Sequence, residues 1–173
     1  MIKNIIILGS TGSIGRSTLN VIKKNNGKYK IKLLSTNNNI KKILSQCLEF
    51  KVKNVLIKNK KKFQIYKNIF KKNKINVYFN IEDAIKIIKK KVFYTINAIS
   101  GINGLYPTIL FVKYSENIAI ANKESIICAW TIIKKKLIKN KTNFIPVDSE
   151  HFSIWSLLKN ESIDKVDKVF ITA

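Results

Sequence analysis

Cysteine is scarce in this sequence, and its scarcity excludes a fold held together by disulfides. Cys47 and Cys128 are the two cysteines among 173 residues, and their spacing matches no paired metal-binding or redox motif. We predict that both thiols are reduced and buried. Long apolar runs are also lacking, since the run at residues 5–8 is far shorter than the core of a signal peptide or a membrane helix. We therefore expect a cytoplasmic protein with no membrane partner.

Proline and glycine are sparse too, at two and six residues, while hydrophobic residues make up 46% of the chain. This composition excludes a disordered or low-complexity chain. The length suffices for one well-buried domain and not for two large ones.

Arginine is almost absent, because Arg16 is the only one although the formal net charge is +23. Arginine is expected to be enriched where phosphates and bases are bound with defined geometry, and single-strand binders place aromatic residues among basic ones. This sequence shows neither pattern. Lysine is instead abundant together with isoleucine and asparagine, the amino acids of A/T-rich codons, so mutational bias explains the charge. We predict no nucleic-acid partner.

Apolar segments of strand length alternate with segments that have the one-sided apolar spacing of a helix. The predicted strands cover residues 5–8, 31–34, 55–57, 77–79, 92–99, 118–121 and 166–172. The predicted helices cover residues 13–24, 40–50, 63–70, 81–88 and 124–138, with another opening near residues 104–107. This alternation predicts an α/β fold, a doubly wound, mostly parallel Rossmann-like sheet with helices on both faces.

Three glycines spaced three residues apart, Gly9, Gly12 and Gly15, follow the first predicted strand and open the first helix. In that context the first allows a tight turn, the second lets backbone amides approach a pyrophosphate, and the third lets the helix pack close to the strand. The amino end of the helix adds donors and a positive dipole end that favour an anion. Hydroxyl donors are available from Ser10, Thr11 and Ser13. The turn predicts a dinucleotide site.

The end of the second predicted strand carries no acidic residue in residues 35–39. NAD-binding proteins usually place an acid there to bind the ribose 2′-hydroxyl, and that acid would repel the 2′-phosphate of NADP. Its absence favours NADP, with Lys41 and Lys42 close behind. A polar turn with a helix cap at Asn39 explains the same segment, so both interpretations stay open.

The acidic motif at residues 148–151 is the second candidate site. In an extended segment positions i and i+2 point the same way, so Asp148 and Glu150 could meet one cation. Ligation by oxygen atoms suits Mg²⁺ or Mn²⁺ better than zinc. A solvated loop that caps a helix at residues 151–158 fits equally well. His151, the only histidine, is either structural or catalytic.

The segment Asn122-Lys123-Glu124-Ser125 follows the sixth predicted strand and opens a helix. Ligands of parallel sheets bind at the carboxyl ends of the strands, where Lys123 could pair with a phosphate or a carboxylate. An ordinary capped helix start explains the segment as well.

Together these motifs resemble one family, 1-deoxy-D-xylulose 5-phosphate reductoisomerase of the non-mevalonate isoprenoid pathway. The resemblance holds in order and spacing along the whole chain. It is carried by residues 8–15, 18–19, 46–50, 101, 104–105, 107–108, 121–125 and 146–151.

The resemblance implies an enzyme that rearranges 1-deoxy-D-xylulose 5-phosphate to an aldehyde and reduces it with NADPH to 2-C-methyl-D-erythritol 4-phosphate. It implies a sugar phosphate as substrate and Mg²⁺ or Mn²⁺ as the metal. It implies NADPH contacts from Thr11, Gly12, Ser13, Ile14, Asn37, Asn38, Asn39, Asn122 and Glu124. It implies substrate contacts from Lys123, Ser149 and Glu150, with catalytic roles for Lys123 and Glu150, and metal ligation by Asp148 and Glu150.

The sequence departs from the family at two places. Asn38 stands where members commonly carry a basic residue, and the family continues after Ala173 with a Ser-Gly-Gly segment, a lid, another metal-binding glutamate and a helical domain. We therefore expect residues 1–147 to form the NADPH-binding domain and residues 148–173 to form the truncated start of a catalytic domain. We expect little or no turnover from this chain alone.

Two other functions stay compatible with the sequence: a non-catalytic dinucleotide-binding remnant and a basic interaction module. Saturable binding of NADPH would exclude the second of these. Intact members of the family form homodimers, so the resemblance implies a dimer only for the longer protein.

Overall fold

The protein is described by a computed structural model that covers residues 2–25, 27–159 and 161–170. In these residues seven strands form one sheet in the order β4-β3-β2-β1-β5-β6-β7, and every neighbouring pair is parallel. The strands are β1 (Lys3–Leu8), β2 (Tyr29–Thr36), β3 (Asn54–Ile57), β4 (Asn76–Tyr78), β5 (Val92–Asn97), β6 (Ser115–Ile120) and β7 (Asn143–Pro146).

Within the described part of the chain, seven α-helices connect or follow these strands. They are α1 (Ser13–Lys24), α2 (Ile40–Glu49), α3 (Lys60–Lys72), α4 (Ile81–Ile85), α5 (Leu105–Phe111), α6 (Lys123–Asn140) and α7 (Ser149–Leu158). Short 3₁₀ turns lie at Ile102–Gly104, Val112–Tyr114 and Ile163–Lys165. No helix in the described part of the chain is both long enough and apolar enough to cross a bilayer.

The sheet has a hydrophobic core on each face because its central strand β1 is apolar at four consecutive positions, residues 5–8. Along β1, Ile6 and Leu8 pack into one buried cluster, while Ile5 and Ile7 pack into the other. Side chains alternate between the faces of a strand, so a continuous apolar run requires helices on both sides. This arrangement confirms the predicted doubly wound α/β fold.

The order of the strands reverses between β1 and β5. The chain moves outward from β1 to β4 in one direction and then returns to build β5, β6 and β7 on the other side. Crevices at such a reversal, outside the carboxyl ends of the strands, are where open α/β sheets bind ligands. Because all strands are parallel, the segments that follow β1, β2, β3, β5, β6 and β7 share this edge.

One predicted strand is wrong. Residues 166–170 have no regular secondary structure, and the remainder of the predicted segment 166–172 lies outside the described residues. The segment is rich in the β-branched and aromatic residues that strands favour, but no strand of the described chain pairs with it. These residue types favour an extended backbone, but they do not by themselves place a segment in a sheet.

The two cysteines are both free, but only one is buried. Cys47 lies on the buried face of α2 and is 1% exposed, and burial raises the pKa of its thiol to about 12. Cys128 is exposed on α6, so its predicted burial is wrong. It precedes Ala129, which has non-helical φ/ψ angles inside α6.

Candidate functional site

A cleft of about 480 Å³ lies at the strand-order reversal. It is bordered by the turn after β1 and by the segments that follow β2, β3 and β5. Its lining residues are Leu8, Gly9, Thr11, Gly12, Ser35, Thr36, Asn37, Leu56, Lys58, Ile81, Ala98, Ile99, Ser100, Asn103 and Pro107. Three residues that the sequence predicted for NADPH, namely Thr11, Gly12 and Asn37, are therefore in this cleft.

The glycines of the first turn are required by close backbone packing. Gly9 has φ +76°, and a Cβ built there would lie 2.6 Å from the carbonyl oxygen of Ala98. A Cβ at Gly15 would lie 2.5 Å from the carbonyl oxygen of Gly9. Gly12 differs, because a Cβ there would meet only that same oxygen, at an ordinary 3.4 Å. Gly9 and Gly15 thus set the backbone, and Gly12 leaves open space beside the cleft.

The first turn of α1 presents backbone donors to this edge. Gly12 is the N-cap residue and has no side chain to cap the helix. The first amides of an α-helix have no partner inside the helix, so those of Ser13 and Ile14 are directed outward beside a positive dipole end. Such a terminus suits an anion such as a pyrophosphate.

The hydroxyl groups of the turn have different environments. Ser10 is buried, and its hydroxyl donates to Gln46 Oε1 at 2.8 Å while Gln46 Nε2 donates to the Ser10 carbonyl at 2.9 Å. Ser10 is therefore structural, and its predicted role as a ligand donor is wrong. Thr11 Oγ1 shares a 2.8 Å hydrogen bond with Thr36 Oγ1 at the cleft. Ser13 lines a separate groove between α1 and α2.

The segment after β2 divides between two surfaces. Asn37 lines the cleft, whereas Asn38 and Asn39 lie in a shallow depression with Lys41. The Asn39 side chain accepts a 3.2 Å hydrogen bond from the amide of Lys42 and so caps α2, as one of the two open interpretations held. Asn38 Oδ1 accepts from Asn59 Nδ2 at 2.8 Å.

At the end of β6, Asn122 is the N-cap of α6 and is 3% exposed. Its Oδ1 accepts from the Ser125 amide at 3.0 Å, while within the described residues its Nδ2 is buried without a partner. This amide packs directly against Gly104. A Cβ at Gly104 would clash with Asn122 Nδ2 and would lie 2.7 Å from the carbonyl oxygen of Ile99. Asn122 thus combines the predicted capping role with a free donor group.

A buried polar pair that the sequence analysis did not predict holds Gly104 in place. Asn97 Nδ2 donates to the Gly104 carbonyl at 2.7 Å and to Thr108 Oγ1 at 2.6 Å. The available signal for Asn97 was a polar residue at the end of β5, at the edge of the sheet where ligands bind.

Asp148 ends the connection from β7 and caps α7. Its Oδ1 accepts from the backbone amide of His151 at 3.0 Å and lies 2.6 Å from His151 Nδ1. Its Oδ2 is buried and has no hydrogen-bond partner among the described residues. The helix begins at Ser149, so the predicted extended geometry, with positions i and i+2 aligned, is wrong. The alternative prediction of a helix cap in this segment is correct, but the side chain of the cap residue Asp148 is buried and the helix starts two residues earlier than predicted.

Glu150 lies in the first turn of α7 and pairs with Lys123 from the first turn of α6. Lys123 Nζ lies 3.1 Å from Glu150 Oε1, and Ser149 Oγ donates to Glu150 Oε2 at 2.9 Å. The hydrogen bond from its own backbone amide, followed by those from Lys123 and Ser149, lowers the pKa of Glu150 to about 2. The contact with Glu150 raises the pKa of Lys123. Glu124 is exposed beside Lys123 and does not line the cleft.

We expect Lys123→Met to raise the pKa of Glu150, because it removes a hydrogen bond and a nearby positive charge. The carboxyl carbon of Glu150, followed by NMR, should titrate near pH 2 in the wild-type chain. Because the pKa is lowered in the folded chain, the stability that Glu150 contributes is present above its ordinary pKa of 4.5 and is lost as the pH falls toward 2. Lys134→Met, on the exposed face of α6, is the control. A wild-type titration near 4.5 would contradict this geometry.

The acids and the glycine turn lie on the same edge of the sheet. β7 is separated from β1 by β5 and β6. The segment after β7, which carries the acids, therefore lies roughly 14 Å, or three strand spacings, from the segment after β1 along this edge. Asp148 Oδ2 is the buried oxygen free to meet a cation, and Glu150 already binds a positive group in Lys123 Nζ. No group of three or more His, Cys, Asp or Glu residues is arranged for metal binding within residues 2–25, 27–159 and 161–170.

The profile of the 1-deoxy-D-xylulose 5-phosphate reductoisomerase family matches residues 5–130. The chain belongs to this family. The reductoisomerase of Pelagibacter ubique is 49% identical over 173 residues, which cover 99% of this chain and 45% of the relative. The reductoisomerase of Clostridium tetani is 38% identical over 174 residues, with the same two coverages. The chain thus spans about 45% of the length of these reductoisomerases.

Solved reductoisomerase structures share the fold. The reductoisomerase from Zymomonas mobilis in complex with NADPH has a TM-score of 0.79 and 27% identity, over 87% of this chain and 40% of that one. A reductoisomerase in complex with NADPH, fosmidomycin and magnesium has a TM-score of 0.81 and 27% identity, over 92% of this chain and 41% of that one. The predicted fold class and the predicted family are both confirmed.

Proposed function

We propose that this chain binds NADPH and contributes metal and substrate residues to the conversion of 1-deoxy-D-xylulose 5-phosphate to 2-C-methyl-D-erythritol 4-phosphate. The observation that carries the proposal is the placement of an uncapped α1 terminus and two carboxylates on one edge of a parallel sheet. One feature suits a dinucleotide and the other suits a cation, and this reaction needs both. Solved relatives in complex with NADPH and with magnesium support this assignment.

For the cofactor, the amides at the start of α1 would bind the pyrophosphate. The predicted contacts comprise Thr11, Gly12, Ser13, Ile14, Asn37, Asn38, Asn39, Asn122 and Glu124. Thr11, Gly12 and Asn37 are supported by their position in the cleft. Asn122 is supported by its free buried amide. NADPH supplies the hydride for the reduction.

For the metal, Asp148 and Glu150 would be the ligands from this chain. The carboxylate of Asp148 fits because His151 occupies Oδ1 and leaves Oδ2 without a hydrogen bond in the described chain. A bound Mg²⁺ or Mn²⁺ supplies Lewis acidity and orients the oxygens of the substrate. Lys123 and Ser149 lie beside Glu150 and would contact the substrate, with Lys123 offering a positive charge to its oxygens.

The boundary between the cofactor domain and the catalytic domain would fall after residue 147. β7 completes the sheet at Pro146, and α7 beyond it has no buried residue. Two carboxylates leave most of the coordination of a cation to water and other ligands. We therefore propose that residues 1–173, tested alone, bind NADPH without appreciable turnover, and that homodimer formation depends on the longer protein.

The test of the cofactor site is saturable binding of NADPH to the purified chain. Gly12→Val should weaken binding about tenfold or more, because its branched side chain occupies the space through which the pyrophosphate approaches. The same change should lower the free energy of unfolding by only about 1 kcal/mol, since a Cβ at Gly12 meets no close atom. Isothermal titration calorimetry and urea denaturation measure the two effects.

Gly27→Ala is the control for this test, because Gly27 lies outside the residues that line the cleft. It should leave the affinity for NADPH unchanged. A wild-type chain that shows no saturable NADPH binding at millimolar concentration would refute the proposed function and favour a basic interaction module. Binding that is indifferent to Gly12→Val would refute the proposed position of the pyrophosphate.

A further inference from the structure

We propose that Lys58 selects NADPH over NADH by binding the 2′-phosphate of the adenosine ribose. The inference rests on the proposed function and assigns a specificity role to a residue outside the glycine turn and outside residues 35–39.

The position of Lys58 follows from the register of the sheet. In dinucleotide-binding folds of this kind, the ribose next to adenine lies at the carboxyl end of the second strand. Here that strand ends at Thr36, which pairs with Ile57 of β3. The amide of Lys58 donates to the carbonyl oxygen of Thr36 at 3.0 Å, and Lys58 lines the cleft together with Asn37. Its side chain is thus beside the expected ribose.

The charge of Lys58 is available to a ligand. Lys58 is exposed and forms no ion pair within the described part of the chain. Glu82 is the nearby carboxylate, and it accepts a 2.6 Å hydrogen bond from the hydroxyl of Tyr106. That hydrogen bond is the largest cause of the lowered pKa of Glu82, and Lys58 contributes less. The ammonium group of Lys58 is therefore available to form an ion pair with a phosphate.

The neighbouring lysines are directed to other surfaces. Lys41 and Lys62 border the shallow depression that contains Asn38 and Asn39, and Lys42 lines the groove between α1 and α2. Lys58 is the only basic residue among the described residues that line the cleft. It directly follows β3, the strand that pairs with β2.

The experiment compares NADPH and NADH affinities of the wild-type chain with those of Lys58→Met and Lys58→Arg. Methionine keeps the aliphatic length and removes the charge. Lys58→Met should weaken NADPH binding about tenfold, as expected for the loss of one charged hydrogen bond, and should leave NADH binding within about twofold. Lys58→Arg should retain the preference for NADPH. Lys62→Met is the matched control and should change neither affinity.

A second readout uses fragments of the cofactor. Adenosine 2′,5′-bisphosphate should lose affinity in Lys58→Met, and adenosine 5′-monophosphate should not. Equal losses for NADPH and NADH would overturn the inference, as would a preference that depends on Lys41 or Lys62 and is unchanged in Lys58→Met. A chain that binds neither NADPH nor NADH would overturn the proposed function as well, so the two failures are distinguishable.

Discussion

Gly9→Ala is expected to lower the free energy of unfolding by roughly 2–5 kcal/mol, more than any other substitution proposed for this chain. Two costs combine at this position. The backbone has φ +76°, which costs an L-residue about 1–2 kcal/mol. The new Cβ would also lie 2.6 Å from the carbonyl oxygen of Ala98, and overpacking typically costs about 1–3 kcal/mol. Urea denaturation followed by tryptophan fluorescence measures the loss.

Gly27→Ala provides the matched control for the backbone term alone. Gly27 has φ +81°, but no atom lies within 4 Å of a Cβ built there. Its substitution should cost only about 1–2 kcal/mol. If the two substitutions destabilise the chain equally, the turn after β1 does not pack against β5 as closely as described.

Asp148→Asn is expected to weaken Mn²⁺ binding by about 100-fold or more. Changes that merely disturb the orientation of a metal ligand already cost about 10- to 100-fold, and this one removes the charge of a ligand. Asparagine keeps an oxygen that can accept from the His151 amide, and it caps helices as well as aspartate does. The helix should therefore persist while cation binding is lost. Electron paramagnetic resonance of free Mn²⁺ measures the affinity.

Two further measurements identify the cause of that loss. The affinity of Asp148→Asn for NADPH should equal that of the wild-type chain, because Asp148 is not among the residues that line the cleft. Asp164→Asn, which changes an exposed aspartate beyond α7, should leave Mn²⁺ binding intact. Equal Mn²⁺ affinities in the wild-type chain and Asp148→Asn would refute a cation site at Asp148.

The sheet could be predicted from sequence because its signals are local. The continuous apolar run of β1 permits only a strand buried on both faces, and Gly9 and Gly15 are residues that no larger side chain could replace in this turn. The start of α1 at Ser13 follows directly from them. The failure at residues 166–170 has the opposite cause, since strand-forming residue types define a strand only when another strand pairs with them, and no strand of the described chain pairs with this segment.

The site was less predictable because its side chains are arranged by contacts distant in sequence. The sequence suggested Ser10 as a ligand donor, but Ser10 is buried and its hydroxyl is hydrogen-bonded to Gln46. Asp148 and Glu150 were paired by sequence spacing, but the helix that begins between them directs one to His151 and the other to Lys123. Lys58 required knowledge that β3 lies next to β2.

The position of β7 at the rim of the sheet has a consequence for how the chain opens. It has four residues and, within the described chain, a single neighbour in β6, whereas β1 and β5 at the cleft are each enclosed on both sides. Local fraying releases such rim segments at less cost than global unfolding. Amide hydrogen exchange should therefore be faster in β7, next to the acids, than in β1 and β5 beneath the cleft. On partial unfolding, the proposed cation site should be lost before the proposed cofactor site.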